Sequence, residues 1–213
     1  MLRRWLAGQY ARPAGRLGKW MVGPWLDRLS IGMNRAALVQ LRPGPGDRVL
    51  ELGFGGGDLL RSMLAAGAKE VVGVDRSPAM VERASRRYRS HLASGRLRLF
   101  EGGAEKLPVE DNSIDCACSV NTIYFWENPA GIMQEFARVV RPGGKLVLCF
   151  QSAAQVRSWP GHRFGFRAYE EEEVKGWFPV AGFELGHVER GRDARLGAFI
   201  CLSGTRLDAK AAS

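Results

Sequence analysis

The chain has 213 residues, 46% of them hydrophobic and 25% charged, which suits one well-buried core and is short for two. No run of about 18 apolar residues is present, and the start, MLRRWLAGQYARPAGRLGKW, lacks the apolar centre of a secretory signal, so a cytoplasmic location is expected. The net charge of +9 is concentrated at one end: residues 1–48 hold Arg3, Arg4, Arg12, Arg16, Lys19, Arg28, Arg35, Arg42 and Arg48 against Asp27 and Asp47, a net +7.

That basic stretch is interleaved with Trp5, Tyr10, Trp20 and Trp25. RNA, an anionic lipid surface and an acidic substrate are its candidate partners, beside a solvated helix face whose tryptophans pack on the domain. Residues 1–47 read as a helical extension, 48–205 as the main domain and 206–213 as a tail. Within 48–205, strand-length apolar runs alternate with amphipathic helical segments, the pattern of a mostly parallel sheet with helices on both faces. Strands are expected at 48–52, 70–75, 96–101, 114–120, 144–150, 183–190 and 195–203. Helices are expected near 58–66, 78–92, 129–140 and 169–177. Ser77-Pro78 is a helix start and Arg141-Pro142-Gly143-Gly144 a stop and turn. Only Gly191–Ala194 separates the last two strands, so they form an antiparallel hairpin.

The chemistry is concentrated in VLELGFGGGDLL, Val49–Leu60, where a strand ending in Glu51 runs into Gly53, Gly55, Gly56 and Gly57. A glycine loop between a strand and a helix lets backbone approach a ligand and presents helix amides to it. A dinucleotide site needs glycines at the first, third and sixth positions; counted from Gly53, the sixth is Asp58, a carboxylate where a pyrophosphate would press. An acidic loop suits a ligand carrying an ammonium and a sulfonium. At the end of the next predicted strand, Asp75 lies 22 residues after Gly53 and can accept from both ribose hydroxyls.

Glu51, Gly53, Gly55 and Gly57 fill the first motif of the class I S-adenosylmethionine-dependent methyltransferases, hydrophobic-x-[DE]-x-G-x-G-x-G, and at this point the chain resembles that family. Its fold implies a seventh strand inserted antiparallel into the sheet, in agreement with the predicted hairpin. GGAEKLPVEDNSIDCACSVNTIYF, Gly102–Phe125, is similar to the family's third motif through Leu107, Pro108, Asp111, Ser113, Ile114 and Asp115. The resemblance implies that Arg76 and Met80 flank adenine, that the Ala104 amide faces the ring, and that backbone around Val120 and Asn121 binds the methionine ammonium. One departure is Gly103, which replaces the usual adenine-binding acid and leaves Glu105 or water to meet the amino group. Arg12 is a candidate partner for the methionine carboxylate, and Met33-Asn34-Arg35 lies where the family often places a lid.

The expected reaction is methyl transfer from S-adenosylmethionine to a small-molecule acceptor, releasing S-adenosylhomocysteine. RNA as acceptor, or a non-catalytic, membrane-associated protein on the same fold, are the alternatives. Tyr124, Glu127 and His162 are the polar candidates for a base, with no catalytic residue assigned. Tyr124, Phe125 and Trp126 are expected to begin an acceptor pocket or to be core, and Ser152–Phe166, with Trp159, His162, Arg163 and Phe164, to shape that pocket. Cys116, Cys118, Cys149 and Cys201 read as buried thiols, and no metal is expected, since His91, His162 and His187 are scattered.

Overall fold

The computed structural model describes residues 30–208 apart from 160, 161 and 164. Trp5, Tyr10, Trp20, Trp25, Phe164, the basic residues from Arg3 to Arg28, Arg12 among them, and the end of the predicted tail lie outside the described residues. Seven strands form one sheet: β1 Arg48–Leu52, β2 Glu70–Asp75, β3 Leu97–Glu101, β4 Ile114–Val120, β5 Val140–Gln151, β6 Phe183–Asp193 and β7 Gly197–Arg206. Their order is β3-β2-β1-β4-β5-β7-β6. The first five are parallel, and β7 runs antiparallel between β5 and β6. The chain leaves β1 toward β2 on one side and returns to β4 on the other, so the crevice at their carboxyl ends is the topological switch point.

The helices are α1 Ile31–Leu41, α2 Asp58–Ala65, α3 Pro78–Arg87, α4 Arg89–Ala93, α5 Pro129–Val139, α6 Ala153–Ser158 and α7 Glu171–Val180. Strand alternation sorts the core. Leu50, Leu52, Val72 and Val74 face α5 and α7, while Val49 and Val71 face α1, α2 and α3. Cys116 and Cys118 share the second face, as their i, i+2 spacing requires, and Cys149 and Cys201 join them. All four thiols are buried, and burial pushes the Cys116 thiol up to about 11.

Several boundaries differ from expectation for local reasons. The predicted helix 78–92 breaks at Tyr88 (φ −111°, ψ 29°) into α3 and α4. Strand β5 starts at Val140 instead of 144. Its pairing jumps from Ile114↔Val140 to Cys116↔Lys145, and Arg141–Gly144 bulges outward. Arg141 Nε closes the bulge on Asp115 Oδ1 at 2.6 Å. The hairpin turn lies at Ala194–Leu196, not at Gly191–Ala194, because Asp193 Oδ1 accepts from the amides of Arg195 (2.9 Å) and Leu196 (3.1 Å) and draws the turn downstream. Helix α6 lies in Ser152–Phe166, where no helix is expected, with Ser152 capping it by accepting from Gln155 N–H (3.3 Å).

Helix α1 is clamped at both ends by the sheet. The Gly32 amide donates to Asp193 Oδ2 at 2.7 Å, and Lys145 Nζ donates to the carbonyls of Gln40 (2.9 Å) and Leu41 (3.3 Å). Asp193 thereby holds a hairpin turn and a helix start with one carboxylate that is 4% exposed. Replacing Asp193 with Ala leaves three amides without this partner, and a loss of about 2–4 kcal/mol in urea unfolding is expected. Asp193→Asn, which keeps one acceptor oxygen, recovers part of it; equal stability of all three proteins would show that the clamp carries no load. Among the described residues, no helix is long and apolar enough to cross a membrane.

Candidate functional site

A cavity of about 710 Å³ opens at the switch point, within the roughly 300–1,000 Å³ typical of small-molecule sites. All ten predicted cofactor residues line it: Glu51, Gly53, Gly55, Gly57, Asp75, Arg76, Met80, Ala104, Glu105 and Asn121. They arrive from the ends of β1, β2, β3 and β4, which the parallel topology brings to one edge.

The loop after β1 is bound on both sides. Gly53 N–H donates to Val74 O (2.7 Å), and at φ +77° its position leaves no room for a side chain, since a Cβ would enter the Thr122 methyl group. Thr122 is fixed in turn by a short hydrogen bond with Ser119, whose hydroxyl donates to Leu52 O (2.8 Å). Gly55, at φ +51°, is different. A Cβ there meets nothing within 4 Å, and the residue is part of the cavity wall. Tyr88 pins the far end of the loop by donating to Gly57 O at 2.8 Å.

Asp75 organises the β2 side. Its Oδ2 accepts from Gly55 N–H (2.8 Å) and its Oδ1 from Ser77 N–H (2.9 Å). Each carboxylate oxygen accepts more than one hydrogen bond, so capacity remains for two ribose hydroxyls. Burial raises the Asp75 pKa, opposed by the amides of Ser77 and Gly55. Asp58 at the start of α2 is met by Arg87 (3.0 Å) and by Arg61 (3.7 Å). Its charge is therefore compensated locally, and the case against a pyrophosphate rests on the missing sixth-position glycine more than on repulsion.

At Gly103, a Cβ would collide with Glu105 Oε2. The Glu105 carboxylate thus fills the space a side chain at 103 would enter, where the resemblance wanted an acid. Asn121 holds a left-handed turn (φ +61°) after β4. Its backbone N–H donates to Cys149 O (2.7 Å), and its Oδ1 accepts from Tyr124 Oη (2.9 Å) and Gln151 Nε2 (3.1 Å); its backbone carbonyl and its Nδ2 take no part in these bonds.

Tyr124 is corrected from candidate base to structural residue. Its ring is buried, burial drives its ionisation upward, and its hydroxyl is held between Gln151 N–H and Asn121. Trp126 is likewise buried, stacked on Trp177 at 6.0 Å, although it reaches the cavity wall. Glu127 lines the cavity; His162 does not, and its Nδ1 lies 2.7 Å from Trp159 O. Of the third-motif residues, Asp111 pairs with Arg138 (2.6 Å), and Asp115 accepts from Arg48 N–H (2.8 Å) and Arg141; these are fold contacts outside the cavity.

Ser30, Asn34, Phe54, Glu101 and Phe166 also line the cavity; of these, the sequence marks the Asn34 region as a lid and Phe166 as the end of a pocket-shaping segment. Glu101 had a signal, since LRLFE repeats the strand-then-acid pattern of EVVGVD and Glu101 is the register partner of Asp75. Phe166 reaches the wall because Arg167 N–H donates to Tyr124 O (3.1 Å), folding that segment back over Ile123–Phe125. Among the described residues, no cluster of three or more His, Cys, Asp or Glu is placed to hold a metal ion.

Residues 50–148 match the family model described as a methyltransferase domain. An uncharacterized methyltransferase of Mycobacterium tuberculosis is 35% identical over 123 residues, 58% of this chain and 47% of that protein. A demethylmenaquinone methyltransferase of Tropheryma whipplei is 36% identical over 164 residues, 69% of this chain and 66% of that one. The chain thus spans about half to two thirds of the length of these curated relatives. A solved S-adenosylmethionine-dependent methyltransferase from Aquifex aeolicus superposes with a TM-score of 0.71 over 87% of this chain and 97% of that one; at 19% identity the likeness is one of fold.

Proposed function

From a chain that belongs to the class I S-adenosylmethionine-dependent methyltransferases, we propose an enzyme that transfers the methyl group of S-adenosylmethionine to a small-molecule acceptor. The observation that carries the reading is the convergence of all ten predicted residues on one cavity at the switch point, around an acidic glycine loop. When bound, the cofactor supplies a methyl carbon already activated on sulfur. The residues of the chain then bind, orient and exclude water.

In this reading Asp75 accepts from the ribose hydroxyls while its two backbone donors hold it rigid. Met80 and Arg76 flank adenine, Glu105 and the Ala104 amide meet its edge, and the Asn121 carbonyl faces the methionine ammonium. Glu51 and the loop from Gly53 to Gly57 line the path of the ligand and bring backbone close to it. Of the 1–47 extension, Ser30 at the start of α1 and Asn34 on α1 join the cavity wall, and this part acts as its lid on the 48–205 domain. The name of the Tropheryma relative is that of an enzyme acting on a small molecule, which supports a small acceptor.

Titration calorimetry with S-adenosylmethionine, S-adenosylhomocysteine and NAD tests the cofactor directly. The first two are expected to bind and NAD to give no heat. NAD binding without a response to S-adenosylmethionine would overturn the proposal.

A further inference from the structure

The cavity is acidic although the chain is basic. Glu51, Asp58, Asp75, Glu101, Glu105 and Glu127 line it against one guanidinium, Arg76, among the described residues. Asp58 is compensated from outside by Arg87 and Arg61. Arg76 follows β2, and the strand order β2-β1-β4 puts β1 between it and the wall that follows β4.

That wall is apolar. Phe125 and Phe166 meet edge to face with centroids 4.6 Å apart, and Trp159 backs Phe166 at 5.0 Å. The exposed carboxylate of Glu127 borders the same end. The neighbouring cation, Arg167, lies outside the lining and donates to the carbonyls of Trp126 (3.4 Å) and Glu127 (3.1 Å). Within the described lining, the β4 end therefore offers aromatic faces and a carboxylate, and no cation to receive an anion.

On the reading above that the cofactor is S-adenosylmethionine, we propose that the acceptor is a small nitrogen base, an amine or ring nitrogen on an aromatic or apolar body, which attacks as its neutral lone pair. A phenolate, carboxylate or thiolate would have to shed water beside the Glu127 carboxylate, with no cation in the described lining of that end to receive it. A neutral nitrogen adds no negative charge. Its lone pair forms the new bond to the methyl carbon, the carbon–sulfur bond breaks with its electron pair passing to sulfur, and the positive charge moves from sulfur to nitrogen. Where the nitrogen carries a hydrogen, that proton leaves to water or to the Glu127 carboxylate. The ring faces of Phe125 and Phe166, with Glu127, stabilise the cation as it forms.

The test uses the full chain, first titrated with S-adenosylmethionine alone, then assayed for S-adenosylhomocysteine release. The acceptors are a set sharing ring frameworks: aryl and arylalkyl amines with N-heteroaromatics, the matching phenols, and the matching arylcarboxylates. Nitrogen bases are expected to show kcat/KM at least about tenfold above their phenol and carboxylate counterparts, with the methyl group on nitrogen by mass spectrometry. Glu127→Lys is expected to lower amine kcat/KM by about tenfold while leaving the Kd for S-adenosylmethionine unchanged. Intact cofactor binding with no amine turned over, or with phenols or carboxylates turned over equally well, overturns the acceptor assignment and leaves the cofactor reading standing. Loss of cofactor binding in the wild-type chain overturns both.

Discussion

Replacing Gly55 with Val is expected to weaken S-adenosylmethionine binding by at least about 100-fold while the protein still folds. Two effects act at this position, and the structure separates them. The first is backbone strain: at φ +51° a branched side chain costs roughly 1–2 kcal/mol, which for a chain of this size lowers Tm by several degrees. The second is occupancy, because a Cβ there meets no protein atom within 4 Å and Gly55 lines the cavity. On the proposed placement, that is where the glycine backbone lies against a ligand. Gly95→Val provides the control. Gly95 sits at φ +72° with equally open surroundings, but it follows α4 and is not part of the cavity wall. Calorimetry and thermal unfolding of both variants should show similar losses of Tm and loss of binding in Gly55→Val alone. A Gly55→Val protein that binds within threefold of wild type would refute the placement of the ligand.

How far the site could be read beforehand depends on whether a residue's role is set by its neighbours in sequence or by packing from afar. The glycine loop and Asp75 belong to the first kind. A strand, a tight turn and an acid at the next strand end are local patterns, and parallel pairing of β1 with β2 brings them together without further instruction. Asn121 was legible for the same reason, as the residue that follows β4. Tyr124 belongs to the second kind. Its sequence neighbours suggest a pocket aromatic, whereas its role is decided by Gln151, 27 positions away on β5. Phe166 is placed by a backbone bond to the 3-10 turn at Ile123–Phe125, which leaves no trace in composition or period. Gly103 shows an intermediate case: the missing acid was visible in the sequence, but only the fold shows that Glu105 fills its space. The fold itself was readable because buried parallel strands are near-continuous apolar runs. The hairpin turn lies downstream of Gly191–Ala194 because the Asp193 carboxylate organises the turn and clamps α1, contacts that reach beyond the local pattern.

Asp75→Ala is expected to have the second large effect, and to change how binding depends on pH. The substitution removes the acceptor for Gly55 N–H and for Ser77 N–H, the latter on a fully buried residue, so a stability loss of about 2–4 kcal/mol is expected. On the proposed placement it also removes both acceptors for the ribose, and affinity for S-adenosylmethionine should fall by about 100-fold or more. The pH dependence follows from the carboxylate's environment. Burial raises the folded pKa of Asp75 above 3.8, so the free protein holds this proton more tightly than the unfolded chain does. Ionised Asp75 therefore lowers stability above the folded pKa, and that cost is relieved as pH falls through the folded value toward 3.8. On the proposed placement, ribose hydroxyls donate to the ionised form and stabilise it, so ligand binding is expected to release the proton. Affinity in wild type should consequently weaken as pH falls through the raised pKa, with a limiting slope of about tenfold per pH unit contributed by this group. The same titration with S-adenosylhomocysteine in wild type and Asp75→Ala isolates this part, because the ligand's own ionisations are common to both. The wild-type curve should be the steeper in acid. Parallel curves for the two proteins would mean that Asp75 does not hold the ribose, even if the variant binds weakly.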